Sequence, residues 1–166
     1  MTDLPPPNDP KAASPDAARA DRRQDAVAHQ FIKALPFAHE LGMRIDALDD
    51  GRAVVSMPYD QRLVGDPATA VIHGGAVSAL IDTTAGAAVM CHPGVATTAT
   101  LDLRIDYMRP ATPGQRITAE AECYHATRNV AFVRARAVDE DTQVPVATAA
   151  GTFTVTRGTM GQKDGS

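Results

Sequence analysis

Tryptophan is absent from this chain, aromatic residues make up 4% of it, and there are only two cysteines, Cys91 and Cys123. So thin an aromatic supply argues against stacking nucleobases or caging a quaternary cation. Two cysteines make no disulfide framework, and no Cys/His group has the spacing of a zinc site, so neither a metal nor a cofactor is expected. A basic excess is also missing: the formal charge is −4, the wrong sign for a nucleic-acid footprint. No apolar run is long enough to span a bilayer. The most apolar stretch, 71–90, is interrupted by Gly86 and followed by Cys91-His92-Pro93. Met1-Thr2-Asp3-Leu4-Pro5-Pro6-Pro7 has neither the basic start nor the apolar centre of a signal peptide. These absences point to a soluble cytoplasmic protein with no membrane and no nucleic-acid partner. At 166 residues it has the size of one domain with a real core.

What is present divides into three parts. Residues 1–20 are rich in proline, alanine and aspartate, with almost nothing to bury, and read as disordered. Residues 21–156 read as a single domain, and 157–166 as a loose, glycine-rich polar tail. From Asp21 a helical pattern runs through Val27, Phe31 and Ile32 and stops before Pro36. Phe37 to Gly42 reads as a short helical turn closed by glycine. Two strand-like runs follow, Met43–Leu48 and Ala53–Met57, joined by a turn at Asp49-Asp50-Gly51-Arg52. Asp60 to Thr69 reads as a polar loop.

The remainder after the apolar stretch is strand-like. Leu101, Leu103, Ile105 and Tyr107 alternate with Thr100, Asp102, Arg104 and Asp106 in a period of two. Ile117, Ala119, Ala121 and Cys123 do the same, then Val130–Val138 after a turn at Arg128-Asn129, then Val144–Val155. The prediction is an α+β domain: an antiparallel sheet of five to six strands against one long helix.

That helix is the centre of the sequence. From Ala76 to Met90 it holds a single charge, Asp82, in a segment apolar nearly all round, which predicts an interior helix with a lone buried acid. His73-Gly74-Gly75 opens it. Alone, the glycine pair reads as a turn that starts a helix, and Asp82 as a carboxylate that caps something or reaches solvent. Together they offer open backbone N–H groups at a helix N-terminus and an acid. At a rise of ~1.5 Å per residue the two are ~12 Å apart along the axis, too far for one carbonyl to touch both. If both act on one substrate, Asp82 must come from a second subunit related by a two-fold axis, so the chemistry predicts a homodimer.

His73-Gly74-Gly75-Ala76, then Asp82-Thr83, then Asp106-Tyr107-Met108-Arg109-Pro110-Ala111 resemble the hotdog-fold acyl-CoA thioesterases of the phenylacetate-pathway type. The resemblance runs from about Phe37 to Val155. It implies a hotdog fold, a sheet wrapped around a long central helix, with subunits joined edge to edge as a homodimer and then as a dimer of dimers. It also implies an acyl-CoA substrate whose carbonyl takes a hydrogen bond from the Gly74 N–H. Asp82 of the other subunit would be nucleophile or general base. Thr100, on the following strand, would help to hold water, and His73 would orient the loop. Relatives carry asparagine where Gly65-Asp66-Pro67 stands here, and an ionised Asp66 cannot donate as an amide does. Arg109, Arg128 and Arg104, with Asn129, are candidates by type for the phosphates of coenzyme A, and Gly75 for substrate contact. His29, His39, His92 and His125 share no motif. The competing readings are a non-catalytic acyl-CoA-binding or sensing hotdog domain and a hotdog dehydratase or hydratase.

Overall fold

The computed structural model describes residues 34–141 and 144–157. The helix expected from Asp21, the N-terminal segment and the tail beyond 157 lie outside these residues. A single turn of helix, α1 (Pro36–Glu40), opens on proline, whose fixed φ suits a first helical position. The hairpin β1 (Arg44–Asp49) and β2 (Arg52–Met57) follows. The predicted polar loop carries more order than its composition implies. Asp60 caps a 3-10 turn (Gln61–Leu63), and β3 (Val64–Asp66) pairs antiparallel with β4 (Val71–Ile72). The long helix α2 (Gly74–Met90) is next, then β5 (Val95–Tyr107), β6 (Ile117–Ala126), β7 (Val130–Val138) and β8 (Ala147–Arg157).

Six strands form one antiparallel sheet in the order β1-β2-β6-β7-β8-β5. Helix α2 lies across one face and touches β1, β2, β5, β6, β7 and β8. Val77, Leu80, Ile81, Thr84, Ala85, Ala87, Ala88 and Val89 are buried against the sheet. Met57, Val55, Ile117, Val133 and Phe153 meet them from the strands. Each fully buried Leu, Ile or Phe side chain contributes about 2 kcal/mol by removal from water. Leu80, Ile81 and Phe153 are all 1% exposed or less.

Two expectations change here. The helix is not enclosed all round, because only one face of it has a sheet to lie on. The row Gly74, Ser78, Asp82, Gly86 and Met90 stays partly open along its outer side. Asp82 is therefore not the fully buried acid that composition alone suggests; in a single chain it is partly exposed. The strand after the helix is also longer than its alternation, starting at Val95, and it is not in a single phase. Its pairing with β8 slips between Thr100 and Asp102. Thr100 lies opposite the buried Phe153, whereas Leu103, Ile105 and Tyr107 lie opposite Gly151, Ala149 and Ala147. A bulge of this kind shifts the alternation by one residue. Even-numbered Thr100 and odd-numbered Tyr107 thus share the helix-facing side, and Leu101 turns out, 59% exposed. Gly151 belongs opposite the slip, since a Cβ there would come within 2.7 Å of the Asp102 carbonyl oxygen.

The two sheet edges differ. β1 is short, bulged near Ile45 and Ala47, and carries Arg44, Asp46 and Asp49. Those are the features that blunt an edge against further pairing. β5 is 13 residues long and, among the described residues, has a neighbour on one side only.

Candidate active site

The start of α2 is held from several directions. His73 occupies the N-cap with extended backbone, and its Nδ1 accepts the Gly75 N–H at 2.9 Å. An accepting Nδ1 places the ring N–H at Nε2. The His73 backbone N–H donates to the Leu63 carbonyl at 2.8 Å, and the His73 carbonyl accepts from Ala76 at 2.9 Å. Gly65 packs on His73 so closely that an added Cβ would lie 2.8 Å from the His73 Cα. Tyr107, at the end of β5, donates its hydroxyl to the Gly74 carbonyl at 2.6 Å and lies 2.6 Å from the Ser78 hydroxyl. Ser78 Oγ is itself 3.1 Å from the Gly74 carbonyl.

Of the two glycine N–H groups, that of Gly75 is given to His73. For the Gly74 N–H no acceptor is found among the described residues. Gly74 also lines a cavity of about 350 Å³ with Val71, Ile72, Tyr107, Met108 and Ala111. An open backbone donor at a helix N-terminus, beside a cavity, is the arrangement that stabilises a developing oxyanion.

Two helical turns further on, Asp82 Oδ1 accepts the Thr100 hydroxyl at 2.7 Å. Asp82 and Thr100 line a second groove, of about 470 Å³, with Leu35, Phe37, Gly86, Met90, Ala99 and Phe153 among its walls. A Cβ at Gly86 would meet nothing within 4 Å, so the groove is open there. The chain therefore brings Asp82 together with Thr100, and Gly74 together with His73, Gly75, Ser78 and Tyr107. It keeps the two groups apart along the helix.

The other candidates fall elsewhere. The Asp66 carboxylate is turned into its own loop, where it accepts the Thr69 hydroxyl at 2.7 Å and the Ala68 N–H at 3.0 Å. The Thr69 and Ala68 bonds hold its carboxyl below the usual range. It makes no bond to His73, and its observed work is to shape the β3–β4 turn. Arg109 lines the cavity beside Gly74. Its guanidinium grips the buried Asp139 with two bonds of 2.7 Å and also donates to the carbonyls of Pro110, Asp141 and Val144. Arg109 in turn holds the Asp139 carboxyl well below the ordinary carboxylate range, with the Thr112 and Asp141 N–H groups helping. Fully engaged, this arginine locks the β5–β6 and β7–β8 connections. Arg128 and Asn129 are exposed on the β6–β7 turn and line neither groove; Arg104 is exposed and paired with Asp106 at 2.9 Å. Burial pushes both Cys91 and Cys123 thiols up, which disfavours either as a nucleophile.

Two residues at the glycine end escaped the sequence reading as site residues. Tyr107 was visible only as a member of an alternating strand and of a family signature. Ser78 had a usable signal: it is four residues from Gly74 and four from Asp82, on one helical row.

A profile of the thioesterase superfamily matches residues 69–146. A solved structure from Pseudomonas aeruginosa is 39% identical, with a TM-score of 0.70, and covers 79% of this chain and 98% of its own. The phenylacetic acid degradation protein PaaI from Thermus thermophilus, solved as a mutant, is 30% identical, with a TM-score of 0.64, over 72% of this chain and 97% of that one. The medium/long-chain acyl-CoA thioesterase YigI of Escherichia coli (strain K12) is 28% identical over 152 residues, 82% of this chain and 96% of YigI. The chain belongs to the thioesterase superfamily. Its sheet and central helix are the hotdog fold, and it is a thioester hydrolase. In this thioesterase no described helix is long and apolar enough to cross a membrane.

Proposed function

We propose that this thioesterase hydrolyses acyl-CoA as a symmetric homodimer, each site lying between the Gly74 of one subunit and the Asp82 of the other. The observation that carries this reading is the division of the chemistry along α2. The Gly74 N–H is open beside one cavity, and Asp82 with Thr100 lies beside another, ~12 Å away by helix rise. A second copy packed antiparallel on the open row of the helix brings each half to the other's complement. The unpaired β5 edge supports the same assembly, since a long free edge is a template for another strand.

In this reading the thioester oxygen takes the Gly74 N–H, and Asp82 of the partner subunit removes a proton from an attacking water. Water oxygen bonds to the carbonyl carbon, the carbon–sulfur bond breaks, and the thiolate of coenzyme A leaves and takes a proton. Thr100 steadies the carboxylate through Oδ1 and leaves Oδ2 for water. A general base of this kind contributes about 10²–10⁴-fold, and one backbone donor to the oxyanion about 10²–10³-fold. The groove beside Asp82 is mostly apolar, and with Gly86 open it has room for an aliphatic tail. We take the acyl group to be of medium or long chain, in keeping with what YigI is named for.

Release of free thiol from a panel of aryl, short, medium and long acyl-CoAs tests this directly. Turnover is expected, fastest with the longer aliphatic chains, and Asp82→Asn should lower kcat about 10³-fold with the dimer intact. Undiminished turnover in Asp82→Asn would remove that carboxylate from the mechanism. Silence across the whole panel would remove acyl-CoA hydrolysis. A single turnover in ¹⁸O-water tests for a nucleophile: label in the Asp82 carboxylate means that the carboxylate itself attacked.

A further inference from the structure

We propose that Tyr107 is a positioning residue for the hydrolysis. Its hydroxyl, supported by Ser78, holds the start of α2 so that the Gly74 N–H is aimed before the oxyanion forms. The inference rests on the reading above, in which that N–H receives the thioester oxygen.

An oxyanion donor is effective in proportion to how little it must reorganise when charge develops. Two consecutive glycines are a poor way to keep a donor still, because neither has a Cβ to restrict its backbone. They also sit in the first turn, where the N–H groups have no intrahelical partners. The structure compensates at the peptide between them. Its N–H is tied to His73 Nδ1 at 2.9 Å, and its carbonyl oxygen to Tyr107 Oη at 2.6 Å. With both ends of that peptide held, rotation about the Gly74 Cα is suppressed on the side that leads into the helix. The preceding peptide, which carries the Gly74 N–H, is held through its carbonyl by the Ala76 N–H, and the peptide before that by the Leu63 carbonyl.

The tyrosine ring also restrains Gly74 by contact. A Cβ at Gly74 would lie 3.3 Å from Tyr107 Oη, 3.4 Å from Cζ and 3.5 Å from Cε1, so the ring lies against the glycine where a side chain would stand. Counting protons orders the hydroxyls. Tyr107 and Ser78 bring one hydrogen each to three contacts of 2.6, 2.6 and 3.1 Å. The two short contacts are satisfied if Ser78 donates to Tyr107 and Tyr107 donates to the Gly74 carbonyl. The Tyr107 proton is then committed to the backbone. Its effect on the reaction passes through Gly74 and does not come from donation to substrate.

The placement of Tyr107 depends on the bulge in β5. The slip between Thr100 and Asp102 puts both Thr100 and Tyr107 on the helix side, so one strand steadies Asp82 at one point and Gly74 at another.

The test is Tyr107→Phe, which keeps the ring against Gly74 and removes only the hydroxyl. For the acyl-CoA turned over fastest by the wild type, kcat should fall about tenfold, less than for loss of an oxyanion donor itself. KM should stay within twofold, and the loss should be equal at every pH where the wild type is active. Melting temperature and dimer size should be those of the wild type, and amide exchange at Gly75 should accelerate. A folded Tyr107→Phe with undiminished kcat overturns the inference while leaving the thioesterase reading in place. So does a loss confined to one limb of the pH profile, which would make Tyr107 a proton-transfer group. A wild type inert on every acyl-CoA overturns the reading beneath it, and this inference with it.

Discussion

The two ends of the working half of α2 are built in opposite ways. Around Gly74 the backbone and side chains are tied to one another: His73 to Gly75 and Leu63, Tyr107 to Gly74, Ser78 to Tyr107. Around Asp82 one bond to Thr100 is present, beside an open groove. The contrast matches what each end is proposed to do. A backbone donor must be rigid, because its contribution comes from being in place beforehand. A carboxylate that exchanges protons with water needs one oxygen steadied and the other free to meet its substrate. The glycine end is bonded from several sides within one chain, whereas the aspartate end is left open on its groove.

The sharpest way to break that contrast is to separate the two ends onto different subunits. Gly74→Pro, which removes the backbone donor at a first helical position where proline is tolerated, and Asp82→Asn should each lower kcat by about 10²–10³-fold as pure dimers. The proline ring also has to displace Tyr107, 3.3 Å from a Cβ at this position. Mixed and re-assembled from denaturant, the two variants should regain about a quarter of wild-type activity. Half of the dimers are then hybrids, and each hybrid has one site with both defects and one with neither. If the site lies within one chain, the mixture stays as inactive as its parents.

Neither end of the helix resembles the third polar cluster, Arg109 with Asp139, where the Asp139 side chain is fully buried and the pairing is complete. There the expected effect is on stability. Arg109→Met strands a buried carboxylate and should cost about 3 kcal/mol in urea unfolding at pH 7. Asp139 has a folded-state pKa depressed below its unfolded value. Its contribution is therefore present above the unfolded carboxylate's pKa and is lost as pH falls through the lower folded one. The gap between wild type and Arg109→Met should accordingly narrow below about pH 4. A gap independent of pH would mean that the arginine acts by packing alone.

The smallest effect is expected at the sparse end. Thr100→Val removes the single bond to Asp82 while keeping shape, and should lower kcat about tenfold without changing melting temperature, the net loss of one charge-assisted hydrogen bond. An effect as large as that of Asp82→Asn would mean that Thr100 touches the reacting water itself.

Much of this was legible in the residues. The proline-free apolar helix, the glycine pair that opens it, its single acid and the alternation of the later strands are local signals, and each marks an element that the structure contains. The ~12 Å between Gly74 and Asp82 also needs only the helical rise, and the proposed dimer follows from it. The β3–β4 pairing was missed because two strands of three and two residues carry too little periodicity to read. The Arg109–Asp139 pair was not legible because an arginine's partner depends on where a distant loop returns, and Asp139 is 30 residues away.

What the sequence by itself determined is the list of parts: a helix with a donor at its head and an acid at its middle, and enough alternating strands to cover one side of it. Only the tertiary structure decided which side of β5 each residue faces. A strict period of two would set Thr100 and Tyr107 on opposite faces. Pairing with β8, more than 40 residues on, inserts a one-residue slip opposite Gly151 and turns both toward the helix. Side-chain direction in a strand is set by its hydrogen-bonded register with a neighbour, and that neighbour is chosen by the fold.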